Sequence, residues 1–254
     1  MKKSVLTMAM LLALGSLAYA QDEPLPEAES REVAEVSVQV EEVAEEAPQK
    51  KQRITTCDSW NLEMGFTNWF QGNFSIPGGN GEPYALNNFQ SLYVALNKNF
   101  RTDFPGPFAA DFGVGVSAMA FAFEDATTQV INDADGLTFQ GDNPIDGDPW
   151  HSQLGVSHFN VYCVPLLDLG GLKMGVGGYV GYRLLSANSL LYLQNDELKL
   201  DRTPGSYQML PYRYGLRAQL GMRDVQVFAN YDLSQTFNSG RAPALNAFNL
   251  GIIL

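Results

Sequence analysis

The sequence predicts an all-β protein whose eight antiparallel strands close into an up-and-down barrel. Two observations point to this fold class. Apolar and polar residues alternate with a period of two in eight segments between Cys57 and Leu254, and the connections between these segments are long and short in turn. An amphipathic helix would repeat its apolar residues about every 3.6 positions instead, so strands are favoured throughout.

The composition limits the classes of function. The chain has 254 residues, of which 45% are hydrophobic and 17% charged, and its formal net charge is −12. Soluble domains usually contain about 25% charged residues, so this chain carries few. An acidic chain is poorly suited to neutralise phosphates, which argues against a nucleic-acid partner. The two cysteines are too few for a disulfide scaffold.

Residues 1–20 predict a signal peptide. Lys2 and Lys3 give a basic start, residues 5–14 form an apolar run, and Ala18 and Ala20 form a small-x-small cleavage site. The apolar run is shorter than the ~18 residues of a membrane-spanning helix. We therefore expect an exported chain that begins at Gln21 after cleavage.

Residues 21–52 form a second zone of composition. They contain 10 acidic and 3 basic residues and no aromatic residue. Such a stretch cannot bury enough apolar area to offset the entropy lost on ordering, so it predicts a disordered acidic tether. A solvated spacer is the first interpretation of this charge run, and a docking segment for a partner protein is the alternative.

The barrel is expected over residues 53–254. Its eight strands are predicted at residues 60–67, 92–101, 108–118, 158–165, 172–183, 212–223, 225–233 and 248–254. The long connections are residues 71–90, 124–152, 186–209 and 234–245, and the short ones are residues 103–107, 168–171 and 223–224. Short periplasmic turns and long outer loops are typical of transmembrane barrels. This pattern predicts a periplasmic location for both the tether and the C-terminus.

The two faces of the strands predict which face meets lipid. One face is a nearly continuous series of Leu, Val, Phe, Tyr and Ala, whereas the other carries Gly, Asn, Gln and isolated charges. Eight strands enclose a lumen wide enough only for side chains, so the charged face is expected inside as a paired network. The predicted lumen network comprises Glu63, Arg101, Asp111, Lys173, Arg183, Arg213, Arg217, Arg223 and Asp232. A soluble lipocalin-like barrel or sandwich, with the faces reversed, is the alternative.

The first strand also predicts how far the barrel spans the bilayer. Trp60 and Phe70 lie ten positions apart on its apolar face. At about 3.3 Å per residue and a tilt of roughly 45°, this separation nearly matches the ~25 Å apolar band of outer-membrane barrels. We expect these two residues to mark two aromatic girdles.

The central hairpin resembles a known family. The segment NVYCVPLL at residues 160–167, a short turn, and LKMGVGGYVGY at residues 172–182 are similar to the central hairpin of the PorT-like outer-membrane β-barrel domain, which is common in Bacteroidetes. The resemblance implies a small eight-stranded outer-membrane barrel and says little about activity. The chain departs from many outer-membrane proteins in ending on Leu254 instead of Phe. Recognition by the barrel-assembly machinery remains an expectation.

Candidate catalytic residues are few. His151 and His158 are the only histidines, and each is adjacent in sequence to a serine, Ser152 and Ser157 respectively. Adjacent strand residues point to opposite faces, so neither pair forms a local nucleophile and base. We expect that the chain has no enzymatic activity and binds no cofactor. A lipid-modifying enzyme of the outer membrane is the remote alternative.

The longest predicted loop is acidic and offers weak metal ligands. They are Asp133, Asp135, Asp142, Asp146 and Asp148. No glutamate follows at the position that an EF-hand requires, and Asp, Asn and Gly are also ordinary turn residues. Weak divalent-cation binding, bridging these carboxylates to lipopolysaccharide, is the functional interpretation, and a plain surface loop is the more ordinary one.

The expected function follows from the predicted fold. The chain is interpreted as a non-enzymatic outer-membrane β-barrel with a closed polar lumen, whose long extracellular loops have a structural or surface-interaction role. Its expected partners are outer-membrane lipid, lipopolysaccharide and the barrel-assembly machinery. The alternative is a subunit of an envelope secretion or transport complex that docks a partner protein through the acidic tether.

Overall fold

The fold is all-β over the part of the chain that is described. The computed structural model describes residues 54–72, 75–77, 82–133, 136–141, 147–222, 225–240 and 242–254. Within these ranges no helix has the length and hydropathy needed to cross a bilayer. The predicted signal peptide and acidic tether lie outside the described residues.

The strands are numbered in chain order. They are β1 (Thr55–Gln71), β2 (Leu92–Asp103), β3 (Phe108–Ala122), β4 (Gln129–Asp133), β5 (Gly136–Gln140), β6 (Asp148–Asp168), β7 (Leu172–Gln194), β8 (Glu197–Pro204), β9 (Tyr212–Met222), β10 (Val225–Asp232) and β11 (Leu245–Ile253). Each segment that the alternating pattern predicts coincides with one of these strands.

Eight of the strands form a closed antiparallel ring. The order around it is β1, β2, β3, β6, β7, β9, β10 and β11. Neighbours in the ring therefore also follow one another along the chain, except that β4 and β5 come between β3 and β6, and β8 comes between β7 and β9. Pairing of β1 with β11, from Glu63 opposite Ile253 to Gln71 opposite Leu245, closes the ring. The predicted all-β class and the eight-stranded arrangement are confirmed.

Short connections lie at one end of the ring and long connections at the other. At the short-connection end, Gly106, Gly170 and Gly171 all have positive φ, at 91°, 72° and 128°. Glycine adopts this conformation without steric cost, which allows β2 to turn into β3 and β6 into β7 within a few residues. β1 begins and β11 ends at this same end.

Two of the segments predicted as long outer loops contain strands, which corrects the prediction that they are loops throughout. The segment at residues 124–152 holds the β4–β5 hairpin and the start of β6, and the segment at residues 186–209 holds the end of β7 and all of β8. The β7–β8 turn uses Asn195 and Asp196 with φ of 53° and 62°. Asparagine and aspartate tolerate positive φ, so they form the two-residue turn that matches the twist of a hairpin.

The ring turns its apolar face outward. Phe112, Val176 and Leu216 are 46%, 62% and 48% exposed, whereas Arg217 on the adjacent inward position is 2% exposed. Because strand residues alternate between faces, the neighbours of the apolar residues point inward. The exposed apolar positions also include Trp60, Leu62, Phe66, Leu96, Phe100, Phe159, Val161, Val180, Leu220, Leu250 and Ile252.

The interior has an apolar part that the sequence did not predict. Toward the long-connection end, buried Trp69, Phe121, Phe123, Phe139 and Phe237 form an aromatic cluster, with the Trp69 and Phe121 rings stacked at 4.6 Å. Phe139 belongs to β5, so the β4–β5 hairpin closes over this end of the ring. The expectation of a wholly polar lumen is therefore corrected: the interior holds an apolar cluster as well as polar side chains. We call the buried aromatic cluster the apolar plug.

Candidate functional site

An ion pair crosses the interior of the ring. Arg217 on β9 donates to both carboxylate oxygens of Glu63 on β1, at 2.6 and 3.2 Å, and the two side chains are 2% and 0% exposed. Since β10 and β11 separate these strands in the ring, the contact spans the inside of the ring. Two charges removed from water require close pairing and further hydrogen bonds to be tolerated.

Neutral and aromatic groups complete the surroundings of this pair. Arg217 also donates to Asn230 Oδ1 at 3.2 Å, and its guanidinium lies 4.3 Å from the centre of the Tyr162 ring and 5.1 Å from that of Phe228. Tyr93 donates to Glu63 at 3.4 Å. Aromatic faces attract a cation, so the guanidinium is stabilised on several sides.

A second arginine organises another polar group. Arg213 donates to Asn160 Oδ1 at 2.6 and 3.1 Å and to Ser117 Oγ at 3.2 Å. Its guanidinium lies 5.3 Å from the Tyr179 ring centre, and the Tyr179 hydroxyl donates to Asp232. Strands β9, β6, β3, β7 and β10 therefore all contribute to this group.

Glycines on the interior face make room for these large side chains. Gly113 lies directly opposite Tyr162 in the β3–β6 register, and a Cβ at Gly113 would overlap the Tyr162 ring. Gly181 lies opposite Arg213, and a Cβ there would lie 2.9 Å from Arg213 Cγ. Pairing a glycine with an aromatic or long side chain across strands fills a narrow barrel without overpacking it.

At the short-connection end of the interior, most of the charged side chains are less deeply buried than Glu63 and Arg217. Arg101 donates to Asp103 at 2.7 Å and to Asp168 at 3.1 Å. Arg101 also lies opposite Asp111, which is buried, while Lys173 is half-buried. An open cleft of about 580 Å³ lies among Arg101, Asp103, Asp168 and Lys173.

The predicted lumen residues thus divide into three sets and two single residues. Glu63 and Arg217 form one buried unit, and Arg213 joins Asp232 through Tyr179 to form another. Arg101, Asp111 and Lys173 lie toward the short-connection end. Arg183 keeps the inward parity but lies near the long-connection end, where it is half-buried and donates to the Ser206 carbonyl at 2.6 Å in the connection after β8. Arg223 lies outside the described residues.

A β-bulge follows Arg183 on β7. The β6–β7 register shifts between Ser157 and His158, so Arg183 pairs with His158 and the next residue, Leu184, is skipped. A bulge redirects the side chains of its strand, and strict alternation along β7 therefore ends just after Arg183.

The histidine and serine pairs do not form a nucleophile and base. His151 Nε2 is hydrogen-bonded to Gln153 Oε1 at 3.1 Å, and Ser152 Oγ donates to the Thr128 carbonyl at 2.5 Å. Burial lowers the pKa of His151 below its ordinary value, which keeps the ring neutral at neutral pH. His158 lies on the interior face beside Arg183.

The candidate metal ligands are separated by the hairpin. Asp133 ends β4 and Asp148 begins β6, while Asp135, Asp142 and Asp146 lie outside the described residues. In the part of the chain that is described, no group of three or more His, Cys, Asp or Glu side chains is placed to hold a metal ion. Divalent-cation binding stays a prediction.

Sequence reasoning missed the neutral partners of the buried charges. Tyr162, Tyr179, Asn160 and Phe228 all contact Arg213 or Arg217. Each lies on the inward parity of its strand, and both tyrosines lie opposite glycines. An inward tyrosine next to a glycine-rich strand is the signal that would have identified them.

Comparison with known proteins leaves the family unassigned. No protein-family model matches the sequence, and no curated protein matches it at a significant level. A cavity of about 20 Å³, room for about one water molecule, lies beside Arg213 and Asp232 and is also lined by Met119, Val156 and His158.

Proposed function

We propose that the chain is an exported, non-enzymatic outer-membrane β-barrel of the PorT-like kind, with a sealed interior and a surface-interaction role for its long-connection end. The observation that carries the proposal is the outward apolar belt around a charged interior. Monomeric soluble proteins rarely expose contiguous apolar patches larger than a few hundred Å². Acyl chains are the environment in which such a belt is favourable.

The aromatic residues support a bilayer of limited thickness. Near the long-connection end, Phe70 packs against Phe248 at 5.3 Å, and Tyr182 against Tyr212 at 5.5 Å, all on the outer face. Toward the other end, Trp60 is 65% exposed and Lys98 lies 5.5 Å from its ring centre. Aromatic rings collect at both membrane interfaces, and lysine extends its amine toward water there.

The interior supports a role without transport. Arg217, Glu63, Tyr162 and Phe228 fill the middle of the ring, and the apolar plug fills the long-connection end. A lumen of eight strands is filled by side chains in this way. What this protein offers its surroundings is therefore the surface of the long connections, where lipid, lipopolysaccharide and external partners would meet it.

Charge placed on the outer face tests the membrane proposal. Lysine at the bilayer midplane destabilises a membrane barrel by about 2–4 kcal/mol, but by only about 0–1 kcal/mol near an interface. We expect Leu216→Lys, in the middle of β9, to lower the free energy of unfolding in lipid vesicles by the larger amount. Met222→Lys, at the short-connection end of the same strand, is the matched control.

Cell fractionation completes the test. The wild-type chain is expected in the outer membrane with heat-modifiable mobility on gels, which reports a closed barrel. A soluble protein would accept both lysines within about 0.5 kcal/mol, because both positions are exposed. Equal stability of the two variants, together with recovery in the soluble fraction, would contradict the proposal.

A further inference from the structure

A cleft at the long-connection end lies between β4 and the β7–β8 hairpin. Its volume is about 360 Å³, within the range of about 300–1,000 Å³ that is usual for small-molecule sites. In the β7–β8 register Asn188 lies opposite Thr203 and Leu190 opposite Asp201. Residues two apart on a strand share a face, so these four side chains form one floor. We call this space the hairpin cleft.

The walls of the hairpin cleft are held in place. Ser152 Oγ donates to the Thr128 carbonyl at 2.5 Å, which fixes the chain just before β4, and Val130 is 6% exposed within the hydrophobic core. On the other side the Tyr207 hydroxyl donates to the Thr203 carbonyl at 2.5 Å. Gln208 Nε2 donates to Asn132 Oδ1 at 3.0 Å and joins the two walls. A preformed site loses little entropy when it binds a ligand.

Two amides of the lining each have one atom without a hydrogen-bond partner. Among the described residues, Gln129 Nε2 and Asn188 Oδ1 are shielded from water and unpaired. Buried polar groups are normally hydrogen-bonded, so each such exception calls for an explanation. The unpaired Gln129 nitrogen is a donor and the unpaired Asn188 oxygen is an acceptor. The pair therefore favours a ligand that both donates and accepts.

The rest of the lining indicates a neutral ligand. Asp201 is the one charged side chain among the described lining residues, and no Lys, Arg or His is among them. A carboxylate disfavours phosphate and other anions, and it accepts strong hydrogen bonds from hydroxyl groups. Leu190, Val130 and Tyr207 are buried and form an apolar base beneath the polar lining.

We infer that the hairpin cleft is a binding site for a neutral saccharide. Sugar hydroxyls donate to Asp201 and exchange hydrogen bonds with the amides of Gln129 and Asn188. The inference rests on the proposed function, since only a displayed long-connection end meets external glycans. An extended peptide pairing with the free edge of β4 is the competing occupant, but the Gln208–Asn132 bridge ties that edge to the opposite wall.

Titration of the full chain tests the cleft. The protein is placed in lipid nanodiscs without glycoside detergents and titrated calorimetrically with maltose, lactose, cellobiose and a tetraglycine peptide. We expect saturable binding, with a measurable dissociation constant, for at least one disaccharide. Asp201→Asn is expected to weaken it about tenfold, since a hydrogen bond to a charged group is the stronger kind.

The matched control is Asp196→Asn, the same change at the turn of the same hairpin. Asparagine accepts the φ of 62° at this position, so affinity and fold are expected to stay unchanged. Absence of binding by all three disaccharides, equal affinity of the wild-type and Asp201→Asn proteins, or binding of the peptide alone would overturn the inference. Saccharide binding by a chain that fractionates outside the outer membrane would overturn the proposed function and leave the cleft assignment standing.

Discussion

Arg217 shows how a charge is tolerated at the centre of this molecule. It has an ionic partner in Glu63, a neutral acceptor in Asn230, and the rings of Tyr162 and Phe228 beside it. Removing one partner of a buried pair leaves the other charge desolvated and unpaired, which is far more costly than the loss of the attraction itself. The stability of the interior therefore depends on specific inward residues as well as on its general polarity.

Substitution of the acidic partner tests this account. We expect Glu63→Gln to lower the free energy of unfolding by about 3–5 kcal/mol, because Arg217 remains buried without a counter-ion. Urea unfolding in lipid vesicles, followed by tryptophan fluorescence, measures the change.

The chain contains a matched control on the same strand. Asp58 is exposed and pairs with Lys98. Exposed ion pairs add little to stability, so Asp58→Asn is expected to leave the unfolding midpoint where it is. If the two substitutions changed the stability equally, the Glu63–Arg217 pair would not be a main source of stability in the interior.

Individual strands were predictable, but the contacts between them were only partly so. Period-two alternation located the ring strands and the inward parity of Glu63, Arg213 and Arg217. It did not reveal that Arg217 meets Glu63 across the ring, because that contact depends on strand stagger, which no single segment records. The β4–β5 hairpin was missed because each of its strands has 5 residues, too few for alternation to stand out.

Glycines on one strand make room for large side chains on the neighbouring strand. In the β3–β6 pair, Gly113 leaves the space that the Tyr162 ring occupies, and that ring in turn lies on Arg217. We expect Gly113→Ala to destabilise the fold by about 1–3 kcal/mol, since the methyl group forces the ring out of place. Differential scanning calorimetry in vesicles gives the magnitude.

A double-mutant cycle separates the clash with the Tyr162 ring from the general effect of replacing a glycine. If the clash is with the ring, adding Tyr162→Ala to Gly113→Ala should cost less than the sum of the two single changes, because residues in contact are not additive. Gly72→Ala is the control, since a Cβ there meets nothing within 4 Å. Strict additivity would argue against the proposed glycine and tyrosine pairing.

At the scale of the whole molecule, the interior is blocked twice by different chemistry. The Glu63–Arg217 group occupies the polar part and the apolar plug occupies the long-connection end, with the β4–β5 hairpin above it. Loss of one block would still leave the other in place. We therefore expect planar-bilayer recordings of the wild-type protein to show no stable conductance steps, with a 16-to-18-stranded porin, roughly the size that leaves an aqueous channel, as the positive control.

Removal of the β4–β5 hairpin is a more stringent test of the sealed interior. Replacing residues 129–140 by a short Gly-Ser link opens the apolar plug to water but leaves Arg217, Glu63 and Tyr162 in the narrow part of the ring. The variant is expected to stay non-conducting, because eight strands hold the backbone too close for a channel even where side chains are small. Large steps from a folded, heat-modifiable variant would show that the hairpin is a gate over a continuous pore, and the sealed interior would have to be abandoned.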